Sequence, residues 1–349
     1  MCSSDLGFRM NDDREVSCLA LLARQQSGQP MEAPGEWREQ ARQAWWAQKD
    51  ADFGCDAMAQ AFFAAGVLEP ADVWRKLRLA IEADKPKAVQ QAARLLGDPV
   101  SQAVDRLMTQ PVEPLLKPKV VTSLAASGGQ TGSPGAVVGP APTKKGKAGG
   151  KSLKDRLHAH GKGKNAGHKA PSLANLGTWP GSLPADTQAS LNLLAYIRWV
   201  GQDPSAAAGA IDDPDARERW GWSGEETAWA LAQLGRGLAW RLQPQAPVYF
   251  ERAMAEHTLA LGAAARRAQV SRSAVGWSPD TLAWMARAAL RAATSRDAEP
   301  VMPAPAAWAL VEQAIEAMPP EAQQDGVWLY WRAKALQGRK PAEIGRAHV

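Results

Sequence analysis

Short amphipathic helical patterns, separated by glycine and proline, make up most of the hydrophobic pattern of this chain. Within residues 53–96, three such patterns are divided at Gly66, Pro70 and Pro86. A helix this short is marginal in water, so it must bury its apolar side against a neighbouring helix. The pattern therefore predicts stacked helical hairpins, an arrangement typical of scaffolds and not of catalytic domains.

The same helical spacing recurs before and after this stretch. Apolar residues three and four positions apart form stripes that each suit one buried helix face. The stripes contain Trp37, Ala41, Ala44 and Trp45; Val73, Leu77 and Ile81; Leu193, Ile197 and Val200; Leu231, Leu234, Leu238 and Leu242; Leu282, Met285, Ala286, Ala289, Leu290 and Ala293; and Trp308, Val311, Ile315 and Met318. Strand-like alternation is not evident. The predicted fold is all-α: a superhelical stack of antiparallel helical hairpins, or α-solenoid, without an exact repeat period.

Two helix starts are marked by the sequence itself. Ser223 and Glu226 have the spacing of a capping box, in which each side chain binds a free backbone N–H of the other residue. Ser278 and Pro279 suit the cap position and the first helical turn. A helix is therefore predicted to begin after each serine.

Between residues 111 and 184 the helical pattern gives way to glycine, proline, serine, alanine and lysine. So little apolar content cannot offset the loss of chain entropy on folding, which predicts a disordered insertion. The insertion divides a helical hairpin array at 11–110 from a second array at 185–340 that continues the superhelix. The extreme ends, MCSSDL and EIGRAHV, resemble translated sequencing-adapter sequence. We therefore expect residues 1–10 and 341–349 to be unnatural ends of a fragment from a larger gene.

The positive charge of the chain comes from one segment. The formal net charge is +5, but residues 144–169 hold nine lysines or arginines against the single acid Asp155, which leaves the remainder slightly acidic. The basic segment lacks the interleaved aromatic residues that stack on bases, so a solvated linker is favoured over nucleic-acid binding. No apolar run approaches the roughly 18 residues of a membrane span, and no secretory signal is recognisable.

Histidines in the same basic segment are the densest group of possible metal ligands. His158, His160 and His168 lie in a lysine-rich tract without a neighbouring cysteine or a rigid helical frame, both of which structural metal sites normally need. The sequence therefore predicts neither a metal site nor a cofactor.

The chain has 15 tryptophans, most of which we interpret as core residues between helices. Those within helical patterns are Trp45, Trp46, Trp74, Trp229, Trp240, Trp308, Trp328 and Trp331. Trp45 and Trp46 are adjacent and cannot both face one stripe. Because an indole face can stack on a sugar ring, one of these two is the candidate for a glycan or partner contact.

Four segments carry a resemblance to a known family. They are Gly54-Cys55-Asp56, VWRKLRLAIEA from Val73 to Ala83, CLALLAR from Cys18 to Arg24, and VWLYWRAKAL from Val327 to Leu336. Together they resemble the superhelical N-terminal part of the soluble lytic murein transglycosylases of the bacterial periplasm, over about residues 11–108 and more loosely 185–340. The resemblance implies an arch of helices that guides peptidoglycan strands to a lysozyme-like catalytic domain. There the bond between N-acetylmuramic acid and N-acetylglucosamine is cut to a 1,6-anhydro product.

The family's catalytic glutamate lies in a Glu-Ser motif, and this chain contains no Glu-Ser pair. We therefore expect a non-catalytic scaffold whose partners are glycan strands and the catalytic domain of the same parent chain. The resemblance also implies a disulfide between Cys18 and Cys55. Two small buried thiols in helix packing are the alternative.

Two other classes of function remain open from the sequence. A tetratricopeptide-like interaction module would hold a peptide on its concave face, and a nucleic-acid-binding protein would use the basic segment as an arm. A basic inner surface together with a Cys18–Cys55 bridge would favour the cell-wall function.

Overall fold

A computed structural model of the chain describes residues 14–27, 34–112, 115, 179, 183–213, 216–262, 276–297 and 299–339. They all belong to one compact unit made of residues 1–119 and 172–349, while a second unit, 120–171, lies outside the described residues. The described part contains 15 helices and no strand. The prediction of an all-α fold is confirmed.

Six helices precede the predicted insertion and nine follow it. The first six are α1 (Arg14–Gln26), α2 (Pro34–Ala47), α3 (Phe53–Ala64), α4 (Pro70–Glu82), α5 (Pro86–Arg94) and α6 (Asp98–Thr109). The others are α7 (Ala185–Gln202), α8 (Pro204–Ile211), α9 (Ala216–Trp220), α10 (Gly224–Trp240), α11 (Ala246–Ala260), α12 (Pro279–Ala293), α13 (Ala304–Glu316), α14 (Pro320–Gln323) and α15 (Gly326–Arg339).

Helix starts follow the local sequence closely. Helices α2, α4, α5, α8, α12 and α14 begin at a proline, which suits the first turn because its missing N–H would have no partner there. The capping box of Ser223 and Glu226 is present at α10. The Ser278 hydroxyl accepts a hydrogen bond from the Thr281 N–H, at 3.0 Å, and so caps α12. Both predicted helix starts are confirmed.

The apolar stripes meet between neighbouring helices. Helix α4 packs on α5, α5 on α6, α10 on α11, and α12 on α13, so consecutive helices form hairpins. Helix α7 contacts both α4 and α10 and thereby joins the first array to the second. Val73 and Leu77 of α4 are completely buried, as are Leu234 and Leu238 of α10. The result is a solenoid-like stack in which each hairpin covers the apolar side of the next.

The predicted stripe of α10 extends too far at its C-terminal end. Leu242 was placed in this stripe by its spacing, but the helix ends at Trp240 and Leu242 is 69% exposed. Its φ of +57° lies in the left-handed region, and the next N–H, of Gln243, donates to the carbonyl of Leu238. This hydrogen bond is typical of a helix terminus that reverses the chain. Trp240, one of the tryptophans within the helical patterns, is 67% exposed and so is not among those that form the core.

Core residues lie just inside both ends of the predicted insertion. Leu115 and Trp179 are almost fully buried, and the Trp179 indole N–H donates to Oδ1 of Asn192 in α7 at 2.8 Å. The packed core therefore extends further than the predicted range 111–184 allows. Residues 116–178 and the adapter-like ends, 1–10 and 341–349, lie outside the described residues.

Gly235 of α10 permits close approach of α11. A Cβ added there would lie 2.9 Å from the ring of Phe250, which is completely buried. We expect Gly235→Ala to lower the free energy of unfolding by about 1–3 kcal/mol through overpacking. The matched variant is Gly209→Ala in α8, where a Cβ meets nothing within 4 Å, and it should be stabilising by about 0.5–1 kcal/mol. Denaturant unfolding measures both effects, and equal effects would contradict close packing of Gly235 against Phe250.

Candidate functional site

A cavity of about 1150 Å³ lies among the helices of the stack. Its walls come from α2, α4, α7, α10 and the start of α12, so both arrays contribute to it. The apolar part of the lining includes three tryptophans and four aliphatic residues. They are Trp46, Trp240, Trp277, Leu79, Ile81, Ile197 and Val200.

Basic residues outnumber acidic residues along the cavity. Seven cations line it, namely Arg14, Lys49, Arg75, Lys85, Arg198, Arg236 and Arg241. Three carboxylates accompany them, namely Glu82, Asp84 and Asp280. The lining therefore carries a formal excess of positive charge, which attracts anions because low-dielectric walls focus the field.

Three of the seven cations are neutralised by a nearby carboxylate. Nη1 of Arg198 lies 2.6 Å from Oδ1 of Asp84, and Nη2 of Arg236 lies 2.8 Å from Oδ2 of Asp280. Lys85 forms the third pair, with Asp50, at 2.5 Å. These three charges are therefore already balanced.

The other four cations form no ion pair with a described residue. Arg14 donates to the carbonyl of Ala47, and Arg241 donates to the carbonyls of Gly201 and Gln202 at the end of α7, at 3.0 and 3.1 Å. Lys49 is exposed at the cavity edge. Arg75 is the fourth cation of this group. Because none of the four is in contact with a carboxylate of a described residue, their positive charge is less neutralised than that of the other three.

Arg75 is held in place by two neutral contacts. Its guanidinium lies 4.1 Å from the centre of a Trp46 ring, and Nη2 donates to the carbonyl of Gly276 at 3.3 Å. Burial lowers the pKa of Arg75, while Glu225 and Glu39 oppose that effect. An arginine stays charged under these conditions. Its Nε is buried without a hydrogen-bond partner. The result is an oriented cation with N–H donors still free.

Glu82 is the deepest carboxylate of the cavity. Its Oε1 accepts hydrogen bonds from the hydroxyls of Ser278 and Thr281, the latter at 2.6 Å, and its Oε2 accepts from Nε2 of Gln233 at 2.9 Å. Burial raises the pKa of Glu82, although Arg236, with Nε 3.9 Å from Oε1, acts in the opposite direction. Because both oxygens are occupied, Glu82 ties α4 to α10 and α12 and is not a free acid or base.

Trp45 and Trp46, the predicted contact candidates, have different surroundings. Trp45 is buried, and the carbonyl at this position accepts a hydrogen bond from Nζ of Lys76 at 2.7 Å. Trp46 is partly buried, lines the cavity and donates its indole N–H to the carbonyl of Asp72 at 3.1 Å. Of the two residues, only Trp46 is therefore placed to meet a ligand in this cavity.

A disulfide joins Cys18 of α1 to Cys55 of α3, with an S–S distance of 2.04 Å. The two Cα atoms are 4.9 Å apart, and both side chains are buried. This is the pair that the family resemblance implies. The bridge therefore links α1 covalently to α3, and neither cysteine lines the cavity.

Sequence reasoning missed most of the cavity. Trp240 was not distinguished from the other tryptophans of the helical patterns, and Arg75, Arg236 and Arg241 were not singled out. Arg75 and Gly276 are 201 positions apart, so no local spacing indicates that they meet. One local signal was available in α4. Arg75 directly follows Trp74 and lies two positions before Leu77 of the buried stripe, so the sequence places a cation beside an aromatic residue on this helix.

No group of three or more potential metal ligands occurs within the described residues. His158, His160 and His168 lie outside them, as does the basic segment 144–169. Among the described helices, none is both long and apolar enough to span a bilayer.

Comparison with protein-family models gives no match, and comparison with curated proteins gives none. Among solved structures, the chain is similar to an inactive mutant of the lytic transglycosylase Slt from Pseudomonas aeruginosa, with a TM-score of 0.40 and 17% sequence identity. The match covers 95% of this chain and 38% of that chain, so this chain spans well under half of that protein. A likeness this distant does not transfer an activity or a substrate.

Proposed function

We propose that this chain is the scaffold and substrate-guiding part of a periplasmic soluble lytic transglycosylase. In this proposal, a separate catalytic domain of the parent protein cleaves peptidoglycan strands to 1,6-anhydromuropeptides. The observation that carries it is the cavity, where an excess of cations lies beside tryptophan faces. Peptidoglycan offers both complementary features, since it has sugar rings that stack on indoles and carboxylates that pair with cations.

The Cys18–Cys55 bridge supports the same assignment. Disulfides persist in the bacterial periplasm and are rare in the cytosol, where thiols are kept reduced. The four sequence segments that resemble the transglycosylase family support the same assignment, and Cys18 and Cys55 both lie within them. A tetratricopeptide-like module has no equivalent requirement for an oxidised bridge or a basic interior.

Co-sedimentation with purified peptidoglycan sacculi tests this proposal. We expect the chain to pellet with sacculi and Trp240→Ala to reduce the bound fraction severalfold. Trp240 is largely exposed, so its loss should spare the fold. Tyr330→Ala is the matched control, because Tyr330 is also exposed but lies in α15, away from the cavity.

Two results would overturn the proposal. One is a chain that stays in the supernatant at every sacculus concentration. The other is equal binding by the wild type and Trp240→Ala, which would remove the cavity as the basis of the proposal. The chain alone should release no anhydromuropeptides, and their release would show that it is catalytic and not only a scaffold.

A further inference from the structure

The hydrogen-bonding groups of the cavity are unbalanced. Each lining carboxylate already has a partner: Glu82 accepts from Ser278, Thr281 and Gln233, while one oxygen of Asp84 and one of Asp280 each contact an arginine. The four lining cations that form no ion pair with a described residue supply N–H donors together with positive charge. A carboxylate only accepts hydrogen bonds and carries the charge that an unpaired cation can balance, whereas a neutral sugar offers such a cation no charge. The cavity is therefore better matched to a ligand rich in acceptors.

Size and wall chemistry restrict that ligand further. At about 1150 Å³ the cavity exceeds the roughly 300–1,000 Å³ that suits a single small molecule, so a short oligomer fits better than a simple anion. Leu79, Ile197 and Val200 place apolar surface between the charged groups. A densely charged polyphosphate would meet both this surface and three carboxylates. A peptide carries its carboxylates at intervals, separated by small side chains and neutral amides.

Arg75 is the strongest anchor for such a ligand. The Trp46 ring and the Gly276 carbonyl hold the guanidinium before any ligand arrives, so little side-chain entropy remains to be lost on binding. A guanidinium binds a carboxylate through two parallel N–H donors, which a lysine cannot reproduce. Lys49, at the cavity edge, adds a second and more solvated positive charge.

We propose that this cavity binds a short acidic peptide through its carboxylates, with Arg75 as the principal anchor and Lys49 as an outer contact. The inference rests on the proposed function only in using the same cavity. It concerns the peptide component of a ligand and makes no demand on a glycan.

Binding of defined probes to the full, disulfide-bonded chain tests the inference. The acidic probe is a five-residue peptide of alternating alanine and glutamate, and its matched control replaces each glutamate with glutamine. Titration calorimetry should detect binding of the acidic peptide, and the glutamine peptide should bind at least tenfold more weakly. Affinity for the acidic peptide should also fall as sodium chloride is raised, because salt screens partly exposed charges.

Two substitutions locate the contact. Arg75→Gln should weaken binding of the acidic peptide at least tenfold, and Lys49→Gln should weaken it about threefold. Lys49 is exposed and makes no ion pair with a described residue, so its variant keeps the test valid if Arg75→Gln misfolds. Arg252→Gln should leave the affinity unchanged, because Arg252 pairs with Asp212 away from the cavity.

The outcomes separate this inference from the proposed function. Equal affinity for the acidic and glutamine peptides, or tighter binding of inorganic polyphosphate, would overturn the inference. If sacculi and neutral chitotetraose bind while the acidic peptide does not, the inference fails and the proposed function stands. If the acidic peptide binds with the predicted variant pattern while sacculi do not, the inference stands and the proposed function fails.

Discussion

Glu82→Ala is expected to lower the free energy of unfolding by about 3–5 kcal/mol, because it removes one side of a buried polar network. The substitution leaves the hydroxyls of Ser278 and Thr281 without their acceptor and removes one of the two acceptors of the Gln233 amide, the other being Oγ1 of Thr281. It also deprives Arg236 of a carboxylate 3.9 Å from its Nε. Denaturant unfolding followed by circular dichroism measures the loss.

Two control variants define what the loss means. Glu251→Ala removes an exposed glutamate of α11 and should change stability by no more than about 0.5 kcal/mol. Glu82→Gln keeps the side-chain length and one acceptor oxygen, so its loss of unfolding free energy should be less than half that of Glu82→Ala. A similar small effect in all three variants would show that Glu82 does not tie the helices together.

The pH dependence of Glu82 has a definite sign. Burial raises the pKa of the folded-state carboxyl above its ordinary value of 4.5, so the unfolded chain releases this proton first as the pH rises. The folded state then binds more protons than the unfolded state, and stability falls with rising pH between 4.5 and the raised pKa. The stability of the wild type, measured relative to Glu82→Gln, should therefore decrease from pH 4.5 towards neutrality. An increase would mean that Arg236 outweighs burial.

The sequence was sufficient for the helices because their determinants are local. The stripe of Val73, Leu77 and Ile81, and the caps at Ser223 and Ser278, each depend on residues within one or two turns. Spacing alone could not locate the end of α10, because the reversal at Leu242 uses a left-handed backbone conformation that is usually taken by glycine. Leu242 continues the hydrophobic spacing of α10 although the helix ends at Trp240.

The cavity was beyond sequence reasoning for a different reason. Its key contacts join residues about 200 positions apart, such as Arg75 with Gly276 and Glu82 with Thr281. Which hairpins become neighbours depends on the whole stack, and the chain lacks an exact repeat from which that order could be extrapolated. The adjacent pair Trp45 and Trp46 was identifiable locally, yet the choice between them required the position of α4.

The disulfide provides the second large prediction. The double variant Cys18→Ser, Cys55→Ser should be about 4 kcal/mol less stable than the oxidised wild type, because the bridge closes a loop with a sequence separation of 37 and so restricts the unfolded chain. A reducing agent should lower the free energy of unfolding of the wild type to that of the variant and leave that of the variant unchanged. Denaturant unfolding with and without the reductant measures both effects.

Counting thiols in the unfolded, unreduced chain provides the control. The sequence has three cysteines, so a Cys18–Cys55 bridge leaves one reactive thiol, at Cys2, while three reactive thiols would show that no bridge forms. The same measurement bears on the compartment, since disulfides form and persist where thiols are oxidised and are rare where thiols are kept reduced. A reduced chain as stable as the oxidised one would remove that support for a periplasmic protein. Only the cavity and the family resemblance would then favour the cell-wall function.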